Sequence, residues 1–198
     1  MPRFTRAELE SFRDAEVPDL VGPDVRLVFV GINPGLRTAA TQIHFGNPGN
    51  RFRPALVAAG ILEPPADGRP GMTEDDLATL VRRGIGITNL VRRATARADE
   101  LGRDELVAGR SELEAFARRH RPKVVAVLGI TAYRTAFGQP RATLGRQPDD
   151  LGPARLWVVP NPSGLNAHES VASLAAAYAE PARAAGIELS VPPDMLAP

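Results

Sequence analysis

The sequence contains no cysteine. Disulfide frameworks, thiolate metal sites and iron–sulfur clusters are excluded with it. Lysine is almost as scarce: Lys123 is the sole example, and the other basic side chains among 24 Lys and Arg are arginine. Schiff-base chemistry needs a desolvated amine, and Lys123 opens a predicted strand, at the end away from an α/β active site. Arginine makes forked contacts to phosphate, although a genome biased towards arginine codons gives the same composition. The net charge is only +1, so bulk charge does not announce a nucleic-acid partner. No apolar run approaches the roughly 18–20 residues of a membrane span. The opening "MPRFTRAELESF" lacks the apolar core of a signal peptide. A cytoplasmic protein without membrane association is expected.

What is present suits one folded unit. Hydrophobic residues make up 43% and charged residues 24% of 198 residues, a globular composition. A single domain over 1–198 is expected, with its core at about 25–186 and a peripheral N-terminal helix and C-terminal tail. Apolar runs at 24–31, 85–91, 123–129 and 154–160 read as buried strands. Helical signals lie between them. Thr5 and Glu8 form a capping-box pattern, Pro54 suits a first helical turn, and Gly84 suits a helix stop. Leu106, Leu113 and Phe116 share one face over 103–121. The helix after His168 is expected to end or kink at Pro181. Segment 63–72 reads as a surface loop and 187–198 as a frayed tail.

Strands alternating with helices imply an α/β fold, a three-layer α/β/α sandwich around a central, mainly parallel four-stranded sheet. Ligands in such sheets bind beyond the carboxyl ends of the strands. Long polar connections leave three of those ends: "GINPGL…HFGNPGN", "TNLVRRATARADE" and "NPSGLNAH". The third strand instead passes at Gly129 straight into a helix. Two of the connections carry Asn-Pro followed by glycine and leucine. Proline fixes φ and glycine admits tight turns and close approach to a ligand. One such turn is merely a stiff connection; two on one edge suggest a built site.

The segments "GINPGL", "HFGNPGNRF", "GITNLV", "AVLG" and "LWVVPNPSGLNAH" resemble the mismatch-specific uracil-DNA and thymine-DNA glycosylases of the uracil-DNA glycosylase superfamily. The resemblance runs in the family's order from about Val25 to about Tyr178. It implies a domain that flips uracil, sometimes thymine or bulkier damaged pyrimidines, out of duplex DNA and excises it without metal or cofactor. Mispaired G·U sites, base excision repair and a monomer are the expected context. A related family that uses four cysteines for an iron–sulfur cluster is excluded by composition.

The resemblance assigns roles residue by residue. Asn33 falls where other uracil glycosylases have aspartate; an amide cannot take a proton from water at neutral pH but can hold one in line with the sugar carbon. Losing a base forfeits about 10²–10⁴-fold, so a slow enzyme is expected. Phe45 matches the aromatic that stacks on the flipped base, against a plain core phenylalanine. Ile32 and Thr38 line the same pocket. Asn89 stands where relatives can carry lysine. Asn161 stands where distant relatives have a histidine that stabilises the leaving oxygen. Gly164, Leu165, Asn166 and His168 belong to the wedge that fills the vacated stack, with Leu165 as plug; the competing reading makes Leu165 a helix staple. Ala167 and His168 replace a basic residue common just after the wedge. Asp99 is a second catalytic candidate as base or oxocarbenium stabiliser, against a helix-capping or solvated role. Arg93, with Arg51, Arg53, Arg92 and Arg97, is placed to contact phosphates.

Two rivals remain at this level. A nucleotide-processing α/β hydrolase would want a phosphate cradle such as G-x-G-x-x-G, whose spacing "GINPGL" lacks. A non-catalytic binder of mismatched or damaged DNA would tolerate Asn33 without a general base.

Overall fold

Four five-residue segments form the parallel core of the sheet because apolar side chains and glycine predominate in each and most of their residues are buried. The computed structural model describes residues 4–65, 68 and 71–190. β1 (Leu27–Gly31), β2 (Ile85–Asn89), β3 (Val124–Leu128) and β5 (Arg155–Val159) run parallel; β4 (Gly145–Arg146) pairs antiparallel with β5. The order is β2-β1-β3-β5-β4. The sheet is therefore mainly parallel, as expected, with a fifth strand of two residues that is too short to leave a pattern in the sequence.

Strand periodicity divides the core into two layers. Leu27 and Phe29 of β1, with Val124, Ala126 and Leu128 of β3, face one cluster. Val28 and Val30, with Val125 and Val127, face the other. The first layer is covered by α3 (Phe52–Ala58), α4 (Glu74–Arg82) and α7 (Val171–Ala185), the second by α5 (Arg103–His120) and α6 (Ile130–Phe137). Phe52 and Tyr178 meet the Phe29 ring at centroid distances of 5.2 and 5.6 Å. The three-layer sandwich follows from this two-sided burial.

Both sheet edges are closed. β4 covers one, and at the other Leu20 exchanges backbone hydrogen bonds with Ile87 of β2 at 2.9 and 2.8 Å, so neither presents a long free ladder. That segment follows α1 (Arg6–Glu10), whose Thr5–Glu8 capping box forms as expected.

Three details depart from the sequence reading. The connection after β1 contains a helix, α2 (Leu36–Thr41), whose Leu36, Thr38 and Ala39 are buried; six residues are too few to show a helical period. α7 runs on through Pro181 to Ala185. The fully buried Ala182 and Ala185 hold that last turn against a cost of about 3 kcal/mol for an interior proline. The expected frayed tail begins as packed chain, with Ile187 4% exposed in the core and Ser190 N–H donating to Gly60 O at 2.9 Å; of the expected loop and tail, residues 66, 67, 69, 70 and 191–198 lie outside the described residues.

Chain order places the site. From β1 the chain moves to β2 on one side, then crosses to β3 on the other. Such a reversal opens a crevice between the carboxyl ends of β1 and β3, the usual ligand position in open α/β sheets. Lys123 precedes β3 and so lies at the opposite edge.

Candidate active site

Beyond β1, the backbone of Gly31 and Ile32 is held by the chain leaving β2: Leu90 N–H donates to Gly31 O and Val91 N–H to Ile32 O, both at 2.9 Å. Farther along, Thr95 N–H donates to Pro34 O at 3.2 Å. The two loops therefore travel together, and Asn33 sits between them.

Its hydrogen bonds fix which way the carboxamide points. The Thr95 hydroxyl donates to Arg97 O at 2.7 Å, so toward Asn33 its oxygen acts as acceptor. Asn33 Nδ2 donates to that oxygen at 2.7 Å and also meets Pro34 O at 3.1 Å and Arg93 O at 3.2 Å. All three neighbours are acceptors, so the nitrogen must face them. Among the described residues Oδ1 has no protein donor, and Asn33 lines a cavity. The side chain offers that cavity a fixed, unspent acceptor.

The cavity measures about 190 Å³, below the roughly 300–1,000 Å³ of sites for drug-sized molecules, and suits a single small ring. Ile32, Thr38, Phe45, Asn89 and Asn161, which are spread from 32 to 161 in sequence, all line it. At the floor, a side chain on Gly31 would lie 2.4 Å from Asn89 Oδ1 and 3.6 Å from the Phe45 ring tip, so only glycine lets the three converge. Phe45 has φ +54°, an uncommon backbone for a bulky residue that recurs where side-chain placement matters. Its ring lies on Phe52 at 4.0 Å. It is thus a core contact on one side and cavity wall on the other.

Asparagines supply the polar lining: Asn33, Asn47, Asn50, Asn89 and Asn161. Asn161 Oδ1 accepts from Ser163 N–H at 2.9 Å, Asn47 Oδ1 from Gly49 N–H at 3.1 Å and Asn50 Oδ1 from Phe52 N–H at 2.8 Å. Each of these oxygens is spent on its own turn and the nitrogen is left to donate. Among the described lining residues there is no carboxylate, and Arg97 carries the one formal charge. Several neutral donors and one oriented acceptor favour a ring that gathers negative charge on its oxygens.

His44, in the same wall, is 4% exposed, and its Nε2 is 3.0 Å from Pro18 O. Since that carbonyl can only accept, Nε2 carries a proton. Burial pushes its pKa below the usual 6.5, against smaller opposing effects of the Pro18 carbonyl and Asp19. A depressed folded-state pKa means that the unfolded chain takes up the proton first. Stability should be level above about pH 6.5 and fall as pH drops below it. Denaturant melts between pH 5 and 8 check this: His44→Gln should flatten the slope, and an unchanged slope would assign it to other groups.

Outside the cavity, the loops 47–50, 96–99 and 163–165 border an open groove of about 790 Å³. Leu165 stands on its rim, 88% exposed, the most exposed large apolar side chain among the described residues. It makes no staple to the following helix. Gly164 lies against the opposite loop, where an added Cβ would be 2.6 Å from Gly49 O. Asn166 Nδ2 donates to Asn161 O at 3.1 Å, and His168 is exposed.

The remaining expected residues lie elsewhere or are engaged. Asp99 borders the groove and not the cavity; its carboxylate holds Arg97 in a fork, 3.0 Å from Nε. Arg93 turns away from both: its guanidinium pairs with Glu105 at 2.5 Å and Asp14 at 3.0 Å, and what it gives the site is its carbonyl. Glu105 is thereby held at a pKa of about 2, first by Arg93 and then by Gly102 N–H. Arg53 is buried against Asp76 at 2.7 Å, Arg92 pairs with Asp19 at 3.0 Å, and Arg51 points into the protein. Thr95, His44, Asn47 and Asn50 were not legible as site residues. Asn47 and Asn50 carried a signal in the N-P-G-N turn; Thr95 carried none.

A family model described as the uracil DNA glycosylase superfamily matches residues 18–181, a span that holds all three site loops. The solution NMR structure of a protein from Methanosarcina acetivorans, described as a candidate uracil DNA glycosylase, superposes with a TM-score of 0.54 at 16% identity. The match covers 83% of this chain and 98% of that one, and the likeness is one of fold.

Proposed function

The chain belongs to the uracil DNA glycosylase superfamily, and on that premise we propose that it is a monofunctional glycosylase of the mismatch-specific branch, which excises uracil from G·U pairs. The observation that carries this reading is Asn33, with its amide nitrogen spent on three acceptors and its oxygen free at a ring-sized cavity. The "GINPGL" and "NPSGL" turns around it fit the same branch.

In this reading the pyrimidine leaves the stack, at a cost of a few kcal/mol that is least for a mismatched base. It enters the cavity against Phe45, and Leu165 fills the gap left behind. The N1–C1′ bond breaks with its electron pair on the base. Asn161 Nδ2 and the neighbouring amides donate to the oxygens that gather this charge. Asn33 Oδ1 accepts a hydrogen bond from a water and aims its oxygen at C1′. The new C–O bond forms there, and the water's proton passes to solvent through the open groove. Lys123, the one lysine of the sequence, lies at the far edge, so no lysine forms an imine with the sugar and the product is an intact strand with an abasic site.

The test is a labelled duplex with one G·U pair, incubated with the protein and split into two halves. Full-length strand without alkali and cleaved strand after hot alkali is the expected result. Uncleaved strand in both halves, with tight mismatch binding, would instead support a non-catalytic binder. That second reading draws on the Asp99–Arg97 pairing, which leaves no free carboxylate beside the cavity among the described residues.

A further inference from the structure

In sequence Arg51 sits between Asn50, which lines the cavity wall, and Phe52, a core residue that lies under Phe45. Its side chain serves the other side of the groove. The guanidinium donates to Ser163 O at 2.7 Å, to Asn166 O at 2.6 Å, and to Glu169 O. Its backbone N–H donates to Pro162 O at 2.9 Å. All four acceptors belong to the loop that carries Leu165. The Gly164–Gly49 contact brings the same two loops together without an intervening side chain.

We infer that Arg51 is a positioning residue that couples base capture to the leucine plug, by locking loop 162–169 onto loop 47–52. The inference rests on the proposed glycosylase reading and deepens it. A fork is needed for this task. Nη1 reaches Glu169 O while Nη2 reaches Ser163 O and Asn166 O, whereas a lysine ammonium is a compact charge without a planar set of donors. The acceptors are backbone carbonyls, so the contact survives any change of side chain in the loop. With the clasp in place, Leu165 stays at the groove rim at 88% exposure, although nothing packs around its side chain. An exposed leucine on a loose loop would fold back onto apolar surface; the clasp prevents that.

The experiment uses the full chain and two duplexes. One carries an ordinary G·U pair for single-turnover excision. The other carries a non-cleavable 2′-fluoro-deoxyuridine opposite guanine with 2-aminopurine beside it, whose fluorescence rises when the stack is opened. Arg51→Lys should lose roughly 10²-fold in excision, the scale of an ångström-sized misplacement. It should also lose the fluorescence rise, as Leu165→Ala does. The double variant should be no worse than the weaker single, because the lysine variant has already withdrawn the plug. A full fluorescence rise with slow excision would overturn the inference, and so would losses that multiply in the double variant. So would a wild-type-like Arg51→Lys beside an Arg51→Gln whose salt slope falls by about 1, the mark of a phosphate contact. If Arg51→Lys does not fold, Gly164→Ala takes its place: its Cβ strikes Gly49 O and should abolish the rise, and a wild-type response would overturn the coupling. A wild-type protein that excises nothing yet shows these fluorescence effects would remove the glycosylase reading and leave the coupling standing.

Discussion

Asn33→Ala should lower single-turnover excision of uracil by about 10³-fold while leaving mismatch binding within a few-fold of wild type. The size follows from what the side chain does. It holds no catalytic proton, so what is lost is orientation of the attacking water, and misplaced reactants forfeit several kcal/mol of barrier reduction. Binding should survive because the carboxamide's protein bonds run to Thr95, Arg93 and Pro34 and not to the groove that would hold DNA. Loss of kcat with little change in affinity is the signature of an interaction made in the transition state. A parallel loss of binding would instead mark Asn33 as a loop anchor.

Asn33→Asp sharpens the expectation. A carboxylate is the better base. Here the oxygen that replaces Nδ2 would face two carbonyls and a hydroxyl whose proton is already given to Arg97 O. Acceptors would oppose acceptors, a costly arrangement away from water. The variant should therefore stay well below wild type at neutral pH and recover partly in acid, where the protonated carboxyl donates once. Rates at pH 5.5, 7 and 8.5 check the sign: a rise in activity with pH would mean that the loop rearranges to use a true base.

The second large effect belongs to Leu165. Burying a leucine is worth about 1.5–3 kcal/mol, and in the free protein that surface is exposed, so insertion into the stack recovers it. Leu165→Ala should lower excision from a G·U duplex by about 10–100-fold, matching that energy. The loss should be larger for a well-stacked uracil in A·U, where extrusion costs more. Thermal stability should not fall, since the side chain supports nothing in the fold. Equal losses on G·U and A·U would separate Leu165 from base extrusion.

The sheet was legible because its cause is local. Four apolar runs bounded by glycine, proline and asparagine can scarcely be anything but buried parallel strands, and period-two alternation divides Leu27 and Phe29 from Val28 and Val30. β4 and α2 escaped because two and six residues are too short for a period to develop. Pro181 misled because a local rule was outweighed by packing around Ala182 and Ala185. The same division holds at the site. The two Asn-Pro turns place Asn33, Asn161 and Leu165 on loops beyond strand ends, beside the cavity and its groove, while the roles given to them come from the family resemblance. Thr95 could not be found, because its role depends on two loops lying side by side. The arginines were hardest: a charge alone does not reveal whether it will meet phosphate, an acid as Arg93 does, or backbone carbonyls as Arg51 does.

The central claim is that an asparagine oxygen, held by its own amide nitrogen, aims water at the sugar. A crystal structure with a 2′-fluoro-deoxyuridine duplex tests it most directly. The expected result is a water within hydrogen-bonding distance of Asn33 Oδ1, about 3–3.5 Å from C1′ on the face opposite the base, with the pyrimidine against Phe45. A carboxamide turned so that Nδ2 faces the nucleotide, or a water held at C1′ by Asp99 instead, would contradict it.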